Sequence, residues 1–262
     1  AELAIREPHA LRGSLDWFDA SYPNYTSLES QAALQFSGQP LARELVGDRV
    51  LDRSGLRAAA AGDVPLGARV RLEGALSTLW SRYPKQRVVD EAGLLGGGLR
   101  EDFLSSVSLS ARMPRDWNAD LRVLASLSAS ASALGSSQNG YDASRGRFLS
   151  RAYDYRELAL SPAARLIIGP ARRPVTVDLG LGLRRRWYPG RPAQDEAGAY
   201  GAVPVRTTEW TFSGALNYPI SGGVSLLFTL ERASASSNQR FERFYRYAYE
   251  ATSALAGVRW DW

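Results

Sequence analysis

Residues 245–262 form the stretch that decides the fold, and they read YRYAYEATSALAGVRWDW. Steps of two back from the last residue meet apolar side chains at Trp262, Trp260, Val258, Ala256 and Ala254. The positions between them are mostly polar, as at Arg259 and Asp261. A period of two residues indicates a β-strand with one apolar and one polar face. An ending of Trp-Asp-Trp is unusual for a soluble domain, and it suits a strand whose apolar face contacts lipid.

The same alternation recurs along the chain and predicts nine further strands. They cover about 11–22, 50–61, 68–83, 99–113, 119–134, 148–168, 175–188, 207–218 and 224–236. The alternation is clearest in 119–134, where leucine, valine and alanine oppose a run of serines. Pro162 cannot donate a ladder hydrogen bond, so it predicts a bulge or an unpaired position in its strand. These segments predict an all-β chain.

The connections between these strands alternate between short and long. Short turns are predicted at 62–67, 114–118, 169–174 and 219–223, and long polar loops at 23–49, 84–98, 135–147, 189–206 and 237–244. Short turns at one end and long loops at the other are typical of an antiparallel transmembrane β-barrel of the bacterial outer membrane. Ten strands is an even number, which brings both chain ends to the turn side.

The seven tryptophans are sorted by height along the predicted strands. Trp17, Trp80, Trp187 and Trp210 lie at the loop ends, and Trp117, Trp260 and Trp262 lie at the turn ends. Amphipathic rings collect at the two lipid–water boundaries of a membrane, so this sorting predicts two aromatic girdles. A soluble sandwich also alternates, but it does not predict such girdles.

With these features the chain resembles bacterial outer-membrane β-barrel proteins. In that class the last strand ends on an aromatic residue and carries a signal read by the barrel-assembly machinery. Gly257, Trp260 and Trp262 match the spacing of that signal, whereas Leu255 stands where a polar residue is usual. The resemblance implies localisation in the outer membrane, with the lipid bilayer and the assembly machinery as partners. It covers residues 11–262 and identifies an architecture, not a substrate.

Two boundaries stay open at this point. Residues 1–10 are interpreted as a periplasmic lead-in and 11–262 as the transmembrane β-barrel, and a preceding domain is compatible with the sequence. Residues 26–37 and 41–50 either form a structured extracellular loop or add two strands, which would give a twelve-stranded barrel. Both counts are even.

Composition narrows the function classes. The charge balance is 32 basic against 27 acidic residues, and the basic residues are not clustered, so a nucleic-acid partner is not expected. Cysteine is absent, which excludes disulfides and thiolate chemistry. His9 is the only histidine and precedes the first strand, so neither a Ser–His–Asp arrangement nor a histidine metal site is predicted. We expect a protein that is not an enzyme and has no cofactor, metal site or catalytic residue.

The inward face of the predicted barrel carries both signs of charge. The candidates for lining the lumen are Arg69, Arg71, Glu73, Asp102, Asp120, Arg122, Asp178, Arg184, Arg186, Glu209 and Glu231. Ten strands enclose a space that side chains can nearly fill, so we expect arginine–carboxylate pairs across a narrow or closed lumen. The favoured function is a membrane anchor or scaffold that binds other envelope proteins through its loops or periplasmic end. The alternative is a narrow, porin-like diffusion channel for ions or small solutes, whose charges would set ion preference.

Overall fold

The structure is a computed structural model, which describes residues 10–23, 34–36, 39–41, 49–67, 69–142, 145–170, 172–241 and 247–260. Its strands are β1 (Ala10–Ala20), β2 (Leu34–Phe36), β3 (Gln39–Leu41), β4 (Arg53–Leu66), β5 (Val70–Val89), β6 (Leu95–Asn118), β7 (Leu121–Ser136), β8 (Gly140–Asp142), β9 (Arg147–Leu149), β10 (Tyr155–Ile168), β11 (Val175–Gln194), β12 (Tyr200–Ser221), β13 (Val224–Ser237) and β14 (Tyr249–Trp260). The described residues include no helix long and apolar enough to span a membrane.

Ten of these strands form one antiparallel sheet in the order β1-β4-β5-β6-β7-β10-β11-β12-β13-β14. Every neighbour in the sheet is therefore the next long strand along the chain. The prediction of an all-β fold with ten antiparallel strands is confirmed. Within the described residues no ladder joins β1 to β14, and every residue of β14 is exposed, so closure of the sheet into a barrel stays a prediction.

The twelve-stranded alternative is wrong. β2 and β3 pair only with each other, in a separate two-stranded ribbon, and β1 pairs directly with β4. Ala10 is opposite Asp63 and Ala20 is opposite Arg53, so no room is left between β1 and β4 for another strand. The parts of these predictions that fall on residues 1–9, 24–33, 37–38, 42–48, 242–246 and 261–262, including Trp262, lie outside the described residues.

Two of the predicted loops are also wrong. Residues 84–89 and 95–98 extend β5 and β6 into a long hairpin, and 189–194 and 200–206 extend β11 and β12 in the same way. The prolines after Tyr83 and Tyr188 misled the prediction, because they lie at register shifts inside the ladders. A bulge accommodates a residue that has no N–H to donate.

Three of the four predicted short turns are tighter than expected, whereas the turn at 169–174 has the predicted bounds. Residues 62–66 belong to β4 and 114–118 to β6, so the turns narrow to 67–69 and 119–120. In contrast, the first part of predicted strand 148–168 is not in the main sheet, because β10 begins at Tyr155. The prediction for Pro162 is confirmed: the β10–β11 ladder skips Ser161 and Pro162 and resumes in the same register at Ala163.

A single register carries one set of faces across all ten strands. Trp17 is opposite Leu56, Leu56 is opposite Trp80, and Trp80 is opposite Phe103. The same side of the sheet continues to Leu181 and Phe212, which are directly opposed, and to Val258 in β14. This outer face exposes its large apolar side chains, with Leu109 at 55% and Val258 at 68%. The outer face is therefore an apolar surface against which no layer of described residues packs.

The inner face is polar, and its side chains are small at mid-height. One inner row runs through Asp63, Glu73, Ser110, Ser128 and Ser161, each directly opposite the next. Between the charged ends, the inner positions are mostly serine, alanine, glycine and threonine. A Cβ atom on Gly180 or Gly182 would collide with the side chain of Ser213 or Thr211 on the neighbouring strand. This mid-height band of small residues is referred to below as the inner belt. Its side chains occupy little volume and leave space on the inner side of the sheet.

Engineered cysteine pairs test this register without background, because the chain has no cysteine. Leu15→Cys with Ala58→Cys should form a disulfide on mild oxidation, since directly opposed residues lie about 4.5–5.5 Å apart and these two are opposed. The matched control, Leu15→Cys with Ala59→Cys, places the thiols on opposite faces and should stay reduced. Peptide mapping by mass spectrometry measures both. Crosslinking of Leu15→Cys to a cysteine within 41–50, with none to Ala58→Cys, would restore the twelve-stranded arrangement.

Candidate functional site at the loop end

The most deeply buried side chains of the described residues are concentrated in and around the loop-end connections. Gln138 and Val89 are fully buried, and Phe148 and Val205 nearly so. All four lie beyond the Trp80–Phe103 row, toward the long loops. The outer and inner faces of the sheet have no comparable core. We name this packed region the loop cap and define it by residues 83–102, 136–155 and 188–206 together with 237–241.

The loop cap contains the same hairpin tip twice. Asp90-Glu91-Ala92-Gly93 joins β5 to β6, and Asp195-Glu196-Ala197-Gly198 joins β11 to β12. In each tip the first aspartate accepts hydrogen bonds through Oδ1 from two backbone N–H groups, those of Ala92 and Leu94 or of Ala197 and Ala199. Gly93 and Gly198 have positive φ angles of 86° and 84°, which glycine adopts without strain.

A buried glutamine secures each of these hairpins from a neighbouring loop. Gln138 accepts from the Val89 N–H at 2.9 Å and donates to the Arg87 carbonyl at 2.9 Å. Gln239 accepts from the Gln194 N–H at 2.7 Å, and Gln194 directly precedes the second tip as Val89 precedes the first. Buried backbone groups need such partners, because leaving them unpaired costs about 1–3 kcal/mol each.

A second repeated motif closes the entry to β4 and to β10. Arg49 and Arg151 both adopt a positive φ, 57° and 58°, which is uncommon for a residue with a side chain. Each is paired with the aspartate three residues on, at 2.7 Å to Asp52 and 2.8 Å to Asp154. Asp52 accepts from the backbone N–H of Tyr22, and Asp154 accepts from that of Ser136. The aspartates thereby connect the end of one long strand to the start of the next.

Arginine–tyrosine stacking connects the loop cap to the inner face. The Arg100 guanidinium lies 4.5 Å from the ring centroid of Tyr83 and 4.9 Å from that of Tyr153. Arg191 lies 4.7 Å from the ring of Tyr188 and 6.0 Å from that of Tyr153, and its Nε donates to the Ala152 carbonyl. Tyr153 therefore bridges an arginine of β6 and an arginine of β11, across the loop ends of β7 and β10.

Arg100 is held in its charged form. Burial disfavours the guanidinium, but the hydrogen bonds and the charge of Asp102 outweigh it and raise the pKa of Arg100 above its ordinary value. The Arg100–Asp102 contact measures 2.7 Å, and Ser136 donates to the same carboxylate at 2.6 Å. The charge at this site is thus permanent and fixed in position.

The predicted lumen residues fall into two groups at opposite ends of the inner face. Asp102, Arg184, Arg186 and Glu209 are at the loop end, and Arg71, Glu73, Arg122 and Asp178 are near the turns. Glu231 lies between Ser213 and Ser253 in the ladders of β13. Arg69 and Asp120 are in the turns that follow β4 and β6. Asp102 and Asp120 are therefore at opposite ends of β6 and do not form a carboxylate pair. The role of this set in lining a lumen stays a prediction.

The expected pairing across the interior is wrong for the ion pairs of the described residues. Apart from pairs between residues close in sequence, such as Arg100–Asp102, the inner-face pairs join neighbouring strands. They include Arg71–Asp63, Arg112–Glu73 (3.5 Å), Arg122–Asp116 (3.3 Å), Arg165–Asp178 (2.5 Å), Arg184–Glu209 (2.8 Å) and Arg186–Glu157 (2.6 Å). The reason is geometric, since side chains opposed on adjacent strands are only about 5 Å apart at Cβ. Sequence reasoning missed Asp63, Arg112, Glu157 and Arg165, although the alternation within β4, β6 and β10 places all four on the inner face.

Two cavities border the inner face. The larger, about 1000 Å³, lies at the turn end and is bounded by Arg71, Arg112 and Arg165 with Asp178 and Gly180. The second, about 520 Å³, lies under the loop cap and is bounded by Arg184, Arg186, Arg191, Glu209 and Tyr188. A belt of small side chains lies between them.

The predicted girdle tryptophans lie on the outer face at the two ends of the strands. Trp17, Trp80, Trp187 and Trp210 are at the loop end, and Trp117 and Trp260 are at the turn end. Trp17, Trp117 and Trp260 are each more than 60% exposed. Exposed tryptophans at two heights on one apolar face are the geometry that the girdle hypothesis requires.

Comparison with solved structures finds two receptors of bacterial outer membranes. The chain is similar to the ferric yersiniabactin uptake receptor FyuA from Yersinia pestis, with a TM-score of 0.41 and 11% identity over 98% of this chain and 40% of the receptor. It is also similar to the ferric-catecholate import receptor Fiu from E. coli K12, with a TM-score of 0.43 and 10% identity over 98% of this chain and 44% of the receptor. The chain therefore spans less than half the length of either receptor. No protein-family model and no curated protein sequence matches it.

The two glutamines should stabilise their hairpins independently. Gln138→Ala leaves the Val89 N–H and the Arg87 carbonyl buried and unpaired, so the Val89 amide should exchange with deuterium about ten- to a hundredfold faster. Gln239→Ala should do the same at Gln194 and leave Val89 unchanged, so each variant is the control for the other. Hydrogen exchange read by mass spectrometry measures both hairpins. Equal loosening of the two hairpins by either variant would contradict separate clamps.

Proposed function

We propose that this chain is an integral β-barrel protein of the bacterial outer membrane whose outer face contacts lipid. The observation that carries the proposal is the single apolar face, which runs from β1 to β14 and bears exposed leucine, valine, phenylalanine and tryptophan side chains. A soluble protein rarely exposes an apolar surface of this extent without a covering layer. In a bilayer the same surface contacts hydrocarbon, and closure of β1 onto β14 would pair the backbone groups of these two edge strands, as a bilayer requires.

The height of the apolar face fits a membrane. In β6 the outer positions from Phe103 to Trp117 span about fourteen residues, which is roughly 48 Å of strand. A tilt of about 45° reduces this to roughly 34 Å along the membrane normal, close to the ~30 Å hydrocarbon core plus its boundaries. Charged outer residues mark the two boundaries of this stretch: Glu101 lies just beyond Phe103, and the guanidinium of Arg115 lies 4.6 Å from the ring of Trp117.

Introducing a charge at mid-height on the outer face tests whether that face contacts lipid or water. Leu109 is on the outer face midway between Phe103 and Trp117, and Ser108 is its inner-face neighbour. Leu109→Arg should destabilise the inserted protein by about 2–4 kcal/mol, whereas Ser108→Arg should cost little, because the inner face is polar. Urea unfolding of protein folded into lipid vesicles measures the difference. Equal effects of the two variants would contradict a lipid-facing outer surface.

Within the membrane, the proposed role is that of an anchor for an envelope assembly, with no catalytic step. What supports this role is the loop cap, whose hydrogen bonds and buried side chains give a rigid surface at the loop end. Flexible loops would have to be ordered on binding, at a cost of about 1–2 kcal/mol per residue, and a preorganised cap avoids that cost. The assembly machinery, acting on the last strand, and other envelope proteins, acting on the cap, are the proposed partners.

The alternative function, a narrow diffusion channel for ions or small solutes, is favoured by one observation. Small side chains line the inner belt between the two cavities, so the mid-height of the interior is not filled by large side chains. In that arrangement the loop cap, rather than the belt, would limit passage. Tyr153 occupies the central place in the cap, since it contacts arginines from both β6 and β11.

Single-channel recording in planar bilayers decides between the two functions. If the cap closes the interior, the wild-type protein should show no steady conductance, and Tyr153→Ala should produce small, steady steps because it removes the bridge between Arg100 and Arg191. Tyr218→Ala, on the outer face near the turns, is the control and should stay silent. Large, steady steps from the wild-type protein would favour the channel and contradict a closed anchor.

A further inference from the structure

Three arginines surround one tryptophan on the outer face at the loop end. Trp187 of β11 is directly opposite Arg156 of β10 on one side and Arg206 of β12 on the other. Arg185 lies two residues before Trp187 on the same face, and its guanidinium is 5.2 Å from the Trp187 ring. We name Arg156, Arg185 and Arg206 the outer arginine triad. All three are exposed.

Among the described residues, no carboxylate accompanies the outer arginine triad as one does other outer-face arginines at this height. Arg82 lies 3.7 Å from Glu101, and Arg232 lies 3.3 Å from Glu250. In the described part of the chain, no carboxylate lies within 4.0 Å of a triad guanidinium. The nearest acidic residue in sequence, Glu157, points to the inner face, where Arg186 holds it at 2.6 Å. Three like charges on adjacent strands repel one another, and a bound anion would relieve that repulsion.

An apolar groove of about 440 Å³ lies directly beside the triad. Its floor includes Ala131 and Ala133 of β7, and its sides include Val107, Leu158 and Trp187. The groove exists because the outer positions of β7 are alanine here, whereas the neighbouring strands carry larger side chains. Arg156 is at one end of the groove, so the outer arginine triad and the apolar groove form one continuous surface.

We propose that this surface binds one anionic phospholipid, with the phosphate at the outer arginine triad and an acyl chain in the groove. Guanidinium groups bind phosphate through paired, charge-assisted hydrogen bonds, and the groove supplies apolar contact of the shape that a hydrocarbon chain offers. Trp187 lies between the two parts, at the height where headgroups give way to hydrocarbon. The inference rests on the proposed function, because it requires the outer face to contact lipid.

Native mass spectrometry of the full chain in detergent tests the proposal with two probes that share their acyl chains, dioleoylphosphatidylglycerol and dioleoylphosphatidylcholine. The wild-type protein should retain the anionic lipid about tenfold better than the zwitterionic one. The combined variant Arg156→Gln, Arg185→Gln, Arg206→Gln should lower that ratio to near one. Arg82→Gln, which alters a paired outer arginine at similar height, should leave the ratio unchanged.

Two further arms separate the parts of the site. Ala133→Phe fills the groove, so it should reduce retention of both lipids while the preference for the anionic one persists. Inorganic phosphate at equal concentration should not displace the lipid, since it has no acyl chain. Complete displacement by phosphate would show a free-anion site instead, and an unchanged lipid ratio in the triple arginine variant would overturn the proposal outright.

Insertion into vesicles of phosphatidylcholine alone separates this proposal from the proposed function. Protease protection of the strands reports insertion, and the triple arginine variant should insert as the wild-type protein does. Insertion without any preference for the anionic lipid would remove the lipid site and leave the membrane protein. Failure of the wild-type protein to insert into any vesicle would overturn the proposed function itself.

Discussion

The antiparallel pairing of each long strand with the next, in a register that shifts only near the ends of the strands, is the constraint on which the rest of the structure depends. A slip of one residue at any of the nine ladders would move every later side chain to the opposite face. Outer tryptophans, inner ion pairs and the belt of small residues would then be mixed on both sides. The bulges after Tyr83 and Tyr188 lie beyond Trp80 and Trp187, on the loop side. They therefore do not change the register of the ladders between the two rows of tryptophans.

Period-two alternation was sufficient to predict the main sheet from the sequence, because one face meets an apolar surrounding and the other does not. The run of serines opposite alanine and leucine in β7 gives this signal directly. It failed at Tyr83-Pro84 and Tyr188-Pro189, since proline ends many strands, and only the bulged geometry reveals that the hairpins continue. It also failed at Asp63, which glycine and proline neighbours made part of a predicted turn.

The repeated Asp-Glu-Ala-Gly segments and the repeated Arg-x-x-Asp motifs are visible in the sequence, and comparing them would have located the loop cap. The partners of Gln138 and Gln239 could not have been found in that way, because they are distant in sequence.

In the loop cap, buried side chains lie in the connections between strands, where most proteins have exposed residues. Most folds bury apolar side chains between layers and leave their connections exposed. Here no second layer of described residues packs against the sheet, and the buried residues of the described chain include four glutamines and several aspartates. These side chains stabilise the fold by forming hydrogen bonds with backbone groups at the hairpin tips. Their effect therefore depends on hydrogen-bond geometry more than on the apolar area that is buried. The same contacts occur at both hairpins, with Asp90 and Gln138 in one and Asp195 and Gln239 in the other, so the β5–β6 and β11–β12 hairpins end in the same way.

Pairing most of the inner charges with a neighbour on the sheet has an electrical consequence. A guanidinium and a carboxylate held within about 3 Å act at a distance as a small dipole, and its potential falls off faster than that of a separate charge. In a closed barrel, six such dipoles around the interior would leave little net potential along its axis, and salt would screen what remains over about 10 Å. An interior built in this way would discriminate between solutes by size and by hydrogen bonding more than by sign of charge, although it contains many ionised groups.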